Sequence, residues 1–156
     1  FEAAIRLKEK YKNKVVFDVV GFFEDEYKEI VDKLQKDDII KFHGFQQEVR
    51  PYYASSHCVV LPSYHEGMSN VLLEAAASGR PIITSDIPGC REAVEEGVNG
   101  YLCEAKNSKC LYESINDFIR LNEAERTEMG IKSREKMVRE FDKKRVVNRT
   151  LKEIFS

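Results

Sequence analysis

Apolar positions recur along the chain with two alternating periods. Phe1, Ala4 and Ile5 share one face at helical spacing, so "FEAAIRLKEKYKNK" predicts a helix already under way at its first residue. The run "VVFDVVG" (15–21) predicts a buried strand stopped by Gly21. Tyr27, Ile30, Val31 and Leu34 then fall at i, i+3, i+4 and i+7, the spacing of an amphipathic helix. "IIKFHG" (39–44) predicts a second strand, and short helical turns follow from Val49 to Ser55. "CVVLPS" (58–63) is almost continuously apolar, which suits a parallel sheet covered on both faces. A helix from about Asn70 to Ser78 stops at Gly79, and Pro81 opens the strand "IIT" (82–84). "DIPGCREAVEEGVNGYLC" predicts a turn, a short helix, a turn at Asn99-Gly100 and a short strand. From Ser108 onward the pattern predicts helix throughout, with Leu111, Ile115, Phe118 and Ile119 as one stripe.

Alternating strands and helices predict an α/β fold, a doubly wound parallel sheet flanked by helices. One domain over residues 1–156 is expected, with its first strand missing and no repeat, low-complexity segment or linker. The net charge of -2 gives no basic surplus for phosphate backbones, so nucleic acid is not an expected partner. No apolar run approaches the ~20 residues of a membrane span, and the N-terminus has no secretory-signal pattern. The four cysteines (Cys58, Cys90, Cys103, Cys110) form no Cys-x-x-Cys pair, so isolated buried thiols in a reducing cytosol are expected rather than zinc or disulfides.

In an open parallel sheet, ligands bind at the carboxyl ends of the strands. Three loops lie there: "HGFQQE", "PSYHEGMSN" and "SDIPGCRE". The middle one is the richest. Glu66 ends it, Gly67 allows close backbone approach, and Ser69 is placed to cap the following helix. Amides of Ser69, Asn70 and Val71 at that helix start would then face an anion such as a diphosphate. Glu74 lies about one turn in, within reach of a hydroxyl pair beside that anion. A carboxylate beside phosphate needs neutral donors, and sugar hydroxyls are such donors, so the pair suggests a nucleotide sugar. The spacing alone fits equally well with Glu66 favouring a helix start and Glu74 sitting on a solvated face.

The stretch "PSYHEGMSNVLLEAAASGRPIITSDIPGCREAVEEGVNGYL" resembles the donor-binding, C-terminal half of retaining glycosyltransferases of family 4, which have the GT-B fold. Glu66 and Glu74 match that family's E-x7-E signature, flanked by its Pro-Ser, Leu-Glu-Ala, Gly-x-Pro and Gly-x-Asn-Gly elements. The variant is similar to that of bacterial enzymes building capsule, O-antigen or other lipid-linked glycans. The resemblance implies a Rossmann-like half of a GT-B enzyme that binds a nucleotide-diphosphate sugar, with UDP the expected nucleotide. It implies that Glu66 is catalytic and touches the donor sugar, and that Gly67, Met68 and Ser69 line the sugar pocket. Asn70 and Val71 would bind the diphosphate, Glu74 the ribose, and Gly44, Phe45 and Gln46 the base. Positioned dipoles would stabilise the departing diphosphate, with no metal and no cofactor.

The same resemblance places a Gly-Arg loop and a Lys, both clamping the diphosphate, before the first residue of this chain. Lys8, Lys10 and Lys12 lie too far along the opening helix to replace them. The acceptor-binding N-terminal domain would also be absent, so the chain is expected to be a fragment that transfers no sugar alone. A glycan or lipid-linked acceptor would be met through that missing domain. The full-length enzyme is expected in the cytoplasm, with peripheral association at the inner membrane face.

Competing readings are a non-catalytic nucleotide-binding module, or another GT-B enzyme such as a UDP-sugar epimerase or a phosphorylase. The first usually needs G-x-G-x-x-G after its first strand, and none is present. His65 beside Glu66 is expected at the polar rim, and His43 and His57 are expected to be structural. Asp86, Arg91 and Glu92 surround "PGCR": Arg91 is in reach of phosphate or acceptor, although a helix-start turn with surface charges is the favoured reading. The Lys/Arg-rich end "KSREKMVREFDKKRVVNR" carries interspersed acids and is expected to be a solvated helix face, with Val147, Leu151 and Phe155 partly unsupported.

Overall fold

The computed structural model describes residues 1–142, 145–147, 151 and 154. The chain divides into two compact units, Phe1–Tyr52 and Tyr53–Ser156.

The first unit contains α1 (Glu2–Tyr11), β1 (Asp18–Val19), α2 (Lys28–Lys36) and β2 (Lys41–Phe42). β1 and β2 pair in parallel, Asp18 beside Lys41 and Val19 beside Phe42. Both strands are shorter than the apolar runs predict. Val31, Leu34 and Ile40 form the buried centre, with Ile5, Phe17, Val19, Phe23, Ile39 and Phe42 packed on it. The α2 stripe is narrower than its spacing predicts: Tyr27 and Ile30 remain exposed. Lys8 donates to the Val15 carbonyl (3.2 Å) and pairs with Asp38 (3.2 Å), so it ties down α1.

The boundary between the units falls inside α3 (Arg50–Ser55). The second unit then runs β3 (Val59–Leu61), α4 (Asn70–Ala77), β4 (Ile82–Ser85), β5 (Gly100–Cys103), α5 (Ser108–Arg120) and α6 (Glu123–Glu140). Its strands pair in the order β3-β4-β5, all parallel. Ile82 and Ile83 in β4 are fully buried, as expected for a central strand covered on both faces. Leu72, Ala75 and Ala76 turn inward from α4 and are also fully buried, while Val71 and Glu74 face out. The i, i+3, i+4 spacing of those three residues fixes which way α4 points, and burying Leu72 alone contributes about 1.5–3 kcal/mol.

The end of the chain differs from the expected single helix. It breaks at Leu121 and Asn122, where a capping box forms: the Asn122 side chain accepts from the Glu125 amide (3.0 Å) and Glu125 accepts from the Asn122 amide (2.7 Å). Reciprocal satisfaction of two helix-start amides makes the break favourable. α6 lies so close to the end of α4 that a Cβ on Gly130 would stand 2.4 Å from the Gly79 carbonyl oxygen.

The predicted solvated face of α6 is also only partly solvated. Lys136 is buried, pairing with Glu140 (2.6 Å) and Glu95 (3.5 Å). Val147 and Leu151 are exposed, and Phe155 lies outside the described residues. The turn predicted at Asn99-Gly100 covers residues 97–99, closed by the Val98 and Asn99 amides on the Glu95 carbonyl (2.9 and 3.1 Å), and Gly100 already belongs to β5. Asn99 is instead fully buried: its side chain accepts from the Glu95 amide (2.6 Å) and donates to the Ala93 carbonyl (3.0 Å). Cys90 and Cys103 are buried and Cys58 and Cys110 half-buried, all as free thiols. Burial pushes the Cys103 thiol up to about 11.

Candidate functional site

The loop between β3 and α4 leaves the carboxyl end of β3 and carries Ser63, Glu66, Gly67 and Met68 outward. Glu66 is exposed, and the Ser63 hydroxyl donates to its Oε1 at 2.8 Å. That bond fixes one carboxylate oxygen and leaves the other open. Gly67 is exposed, as is Met68 at 47%. His65 is likewise exposed, and Lys106 from the loop after β5 lies over the neighbouring Tyr64 ring at 5.4 Å.

Ser69 occupies the N-cap position of α4, but its side chain makes no capping bond. Its amide is also not available to an anion. It donates to the Gly89 carbonyl at 3.0 Å, and Ser69 is buried. This corrects the expectation of three outward amides from Ser69 to Val71. The first rung of α4 runs from the Leu73 amide to the Ser69 carbonyl (3.1 Å), so the amides of Asn70, Val71 and Leu72 precede the helical ladder. Asn70 and Val71 are exposed and present the positive end of the helix dipole, whereas Leu72 is fully buried.

Glu74 is exposed on the same side chain rows of α4, and the Tyr53 hydroxyl donates to its Oε2 at 3.3 Å. Tyr53 is itself buried. Burial first, and then the charge and hydrogen bond of Glu74, push its phenol up to about 12. It therefore remains a donor throughout the neutral range, and the bond is lost only as pH rises through about 12. Sequence reasoning missed Tyr53 because it lies 21 positions from its partner. It missed the bond of Ser63 as well, although the i, i+3 spacing to Glu66 was a readable signal.

The turn after β4 abuts this loop. Arg91 grips Asp86 twice, through Nε to the carboxylate (2.9 Å) and through a terminal nitrogen to the carbonyl (2.9 Å). Arg91 thus staples its own turn, in agreement with the favoured reading of a helix-start turn; the turn continues into a 3₁₀ segment, Arg91–Ala93. Glu92 accepts from the Gly89 amide at 2.8 Å. Gly89 has φ +87°, and a Cβ there would stand 1.5 Å from the Gly67 carbonyl oxygen and 2.7 Å from that of Glu66. Only glycine allows this contact. No composition rule marks Gly89 as part of the site; the contact brings residues 22 positions apart together.

Gly44, Phe45 and Gln46 lie in the first unit, at the carboxyl end of β2. The Gly21 amide donates to the Gly44 carbonyl (3.0 Å), and the Phe45 ring stacks on Phe22 at 4.9 Å, both rings exposed. Gln46 donates to the His43 carbonyl (2.7 Å), and His43 bonds Asp18 (2.7 Å) and stands edge-on to Tyr52, a structural role as expected. An open groove of about 740 Å³ lies elsewhere, lined by His57, Arg80, Pro81, Arg126, Gly130 and Arg134 among others. His57 and Pro81 precede β3 and β4, so this groove faces the amino ends of those strands, opposite the loop of Glu66. Among the described residues no cluster of three or more His, Cys, Asp or Glu side chains is placed to hold a metal ion. No helix among them is long and apolar enough to cross a membrane.

The family described as glycosyl transferases group 1 matches residues 1–120. A relative from Bacillus anthracis, N-acetyl-alpha-D-glucosaminyl L-malate synthase, is 31% identical over 120 residues, covering 77% of this chain and 31% of that protein. An Anabaena protein, HepE, solved in complex with UDP-glucose, superposes with a TM-score of 0.81 at 25% identity, over 99% of this chain and 44% of that one. The C-terminal domain of a group 1 glycosyl transferase, LpcC from Francisella tularensis, superposes with a TM-score of 0.79 at 25% identity, over 91% of this chain and 77% of that one. The chain spans about a third of the length of the curated relatives it matches. The fold is α/β, with a parallel sheet and flanking helices in each unit, consistent with one Rossmann-like half of a GT-B enzyme.

Proposed function

Because the chain belongs to the group 1 glycosyl transferases, we propose that the loop of Glu66 and the start of α4 bind the sugar and diphosphate of a nucleotide-sugar donor. The observation that carries this reading is the pair of exposed carboxylates, Glu66 and Glu74, on either side of the Asn70 and Val71 amides. Each acid has one oxygen held by a neutral hydroxyl, from Ser63 and Tyr53 respectively. Neutral donors hold the acids in place without neutralising them, so both remain strong acceptors for sugar hydroxyls.

Glu66 then contacts the donor sugar as the catalytic residue, within a pocket lined by Gly67, Met68 and Ser69. The Asn70 and Val71 amides bind the diphosphate and stabilise its departure, as positioned dipoles do for developing charge. Glu74 takes the ribose. UDP is the proposed nucleotide, supported by the resemblance and by the UDP-glucose complex of the Anabaena neighbour. The transfer proceeds with retention, without metal or cofactor, to a glycan or lipid-linked acceptor of a bacterial surface polysaccharide, and needs more than this chain. The enzyme works in the cytoplasm, at the inner membrane face.

Calorimetric titration with UDP, UDP-glucose and GDP tests the reading. Glu74→Ala is expected to weaken UDP binding by about 1–3 kcal/mol, the cost of a lost charged hydrogen bond. Unchanged affinity would contradict the ribose assignment. In the same titration Tyr53→Phe should lose less, about 1 kcal/mol, since Glu74 remains but is less firmly held. A Tyr53→Phe loss exceeding that of Glu74→Ala would instead point to damage in the packing around Tyr53.

A further inference from the structure

We propose that Glu92 is a positioning residue for the donor loop, acting through the backbone of Gly89. The inference rests on the donor-binding reading above, but its geometry is independent of it. The Glu92 carboxylate accepts from the Gly89 amide (2.8 Å), and the Gly89 carbonyl accepts from the Ser69 amide (3.0 Å). Ser69 in turn gives its carbonyl to Leu73, the first rung of α4. A continuous path of three hydrogen bonds therefore runs from the Glu92 side chain to the helix start that offers Asn70 and Val71.

The second contact lies on the other side of the same residue. The bare Cα of Gly89 rests against the Gly67 carbonyl, with the Glu66 carbonyl oxygen beside it, so the turn sets where the backbone after Glu66 sits as well as where α4 begins. Arg91 holds the base of the turn through Asp86, leaving Glu92 to fix its tip. Gly89 cannot contribute a side chain, and its left-handed backbone is open to alternatives unless something outside it selects one. Glu92 supplies that selection. An exposed acid beside an anion site disfavours the anion by repulsion, and a carboxylate already accepting a backbone amide is a reason for one to be there. Glu92 itself touches neither sugar nor diphosphate.

The test uses the full chain carrying Glu92→Ala or Glu92→Gln. Titration with UDP-glucose should show roughly a five- to tenfold loss for Glu92→Ala. Glu92→Gln, whose amide oxygen still accepts from Gly89, should stay within about twofold of the unmodified chain, because the bond rather than the charge is required. Amide hydrogen exchange gives a readout that needs no nucleotide. Ser69 and Gly89 should exchange faster in Glu92→Ala, while amides of α6 are unchanged and the melting temperature moves by no more than about 2 °C. The proposal is overturned if Ser69 and Gly89 keep their protection in Glu92→Ala, if Glu92→Gln is as damaging as Glu92→Ala, or if protection falls evenly across the unit. Should the unmodified chain bind neither UDP nor UDP-glucose, the donor reading fails, and the exchange pattern still decides the relay.

Discussion

Gly89→Ala is expected to lower stability by about 2–5 kcal/mol and to abolish measurable UDP binding, combining backbone strain with overpacking. The added Cβ would fall 1.5 Å from the Gly67 carbonyl oxygen, and the atoms met are backbone, which cannot swing aside as a side chain can. Either the turn or the donor loop must move. Movement of the turn breaks the Gly89 carbonyl bond to the Ser69 amide, and movement of the loop carries Glu66 away. Gly97→Ala is the internal control. Gly97 shares a positive φ of +71° but has open space around it, so only the strain of about 1 kcal/mol applies. Urea unfolding of both variants, with UDP titration alongside, separates the two contributions. If Gly89→Ala proves no more costly than Gly97→Ala, the close approach of the two loops is wrong.

Leu72→Ala should cost about 2–5 kcal/mol, as for other fully buried leucines truncated in packed interiors. Leu72 is 0% exposed and shares the buried face of α4 with Ala75 and Ala76, which are too small to close over the void. The effect reaches the site because Leu72 immediately follows the two amides assigned to the diphosphate. Its anchoring keeps the amino end of α4 aimed outward. Val71→Ala provides the contrast: Val71 is 43% exposed, so stability should change by no more than about 0.5 kcal/mol. Thermal unfolding of the two variants gives the comparison. Equal losses would mean that α4 presents a different face to the sheet.

How far the fold could be read in advance depended on the range of the forces involved. β4 was legible because a central parallel strand must be apolar on both faces, which "IIT" satisfies; β3, half-buried at the edge of its sheet, was legible from the apolar run "CVVL" alone. β1 and β2 came out at two residues each, shorter than their apolar runs, because an apolar stretch reports burial and not the length of a hydrogen-bonded ladder. The break between α5 and α6 was written locally, in Asn122-x-x-Glu125, and the sustained helical periodicity on either side concealed it. At the site, Glu66, Glu74 and the helix start were visible as spacing. Ser69 was not: whether its amide faces solvent depends on Gly89, in a loop that follows the next strand. Tyr53 and Glu92 act over similar tertiary distances or through backbone atoms, neither of which a residue pattern encodes.

The contact of Gly89 with the Gly67 carbonyl has a consequence for engineering. Donor preference in such folds invites loop grafting, in which one enzyme's residues 62–70 are exchanged for another's. Here that segment is templated by a turn lying outside it, from Asp86 to Glu92, through one amide–carbonyl bond and one surface with no room for a methyl group. A graft of the first loop alone would be read by a foreign template. The two loops form a single transplantable cassette, and chimeras should be cut before Pro62 and after Glu92, with α4 and β4 carried along between them.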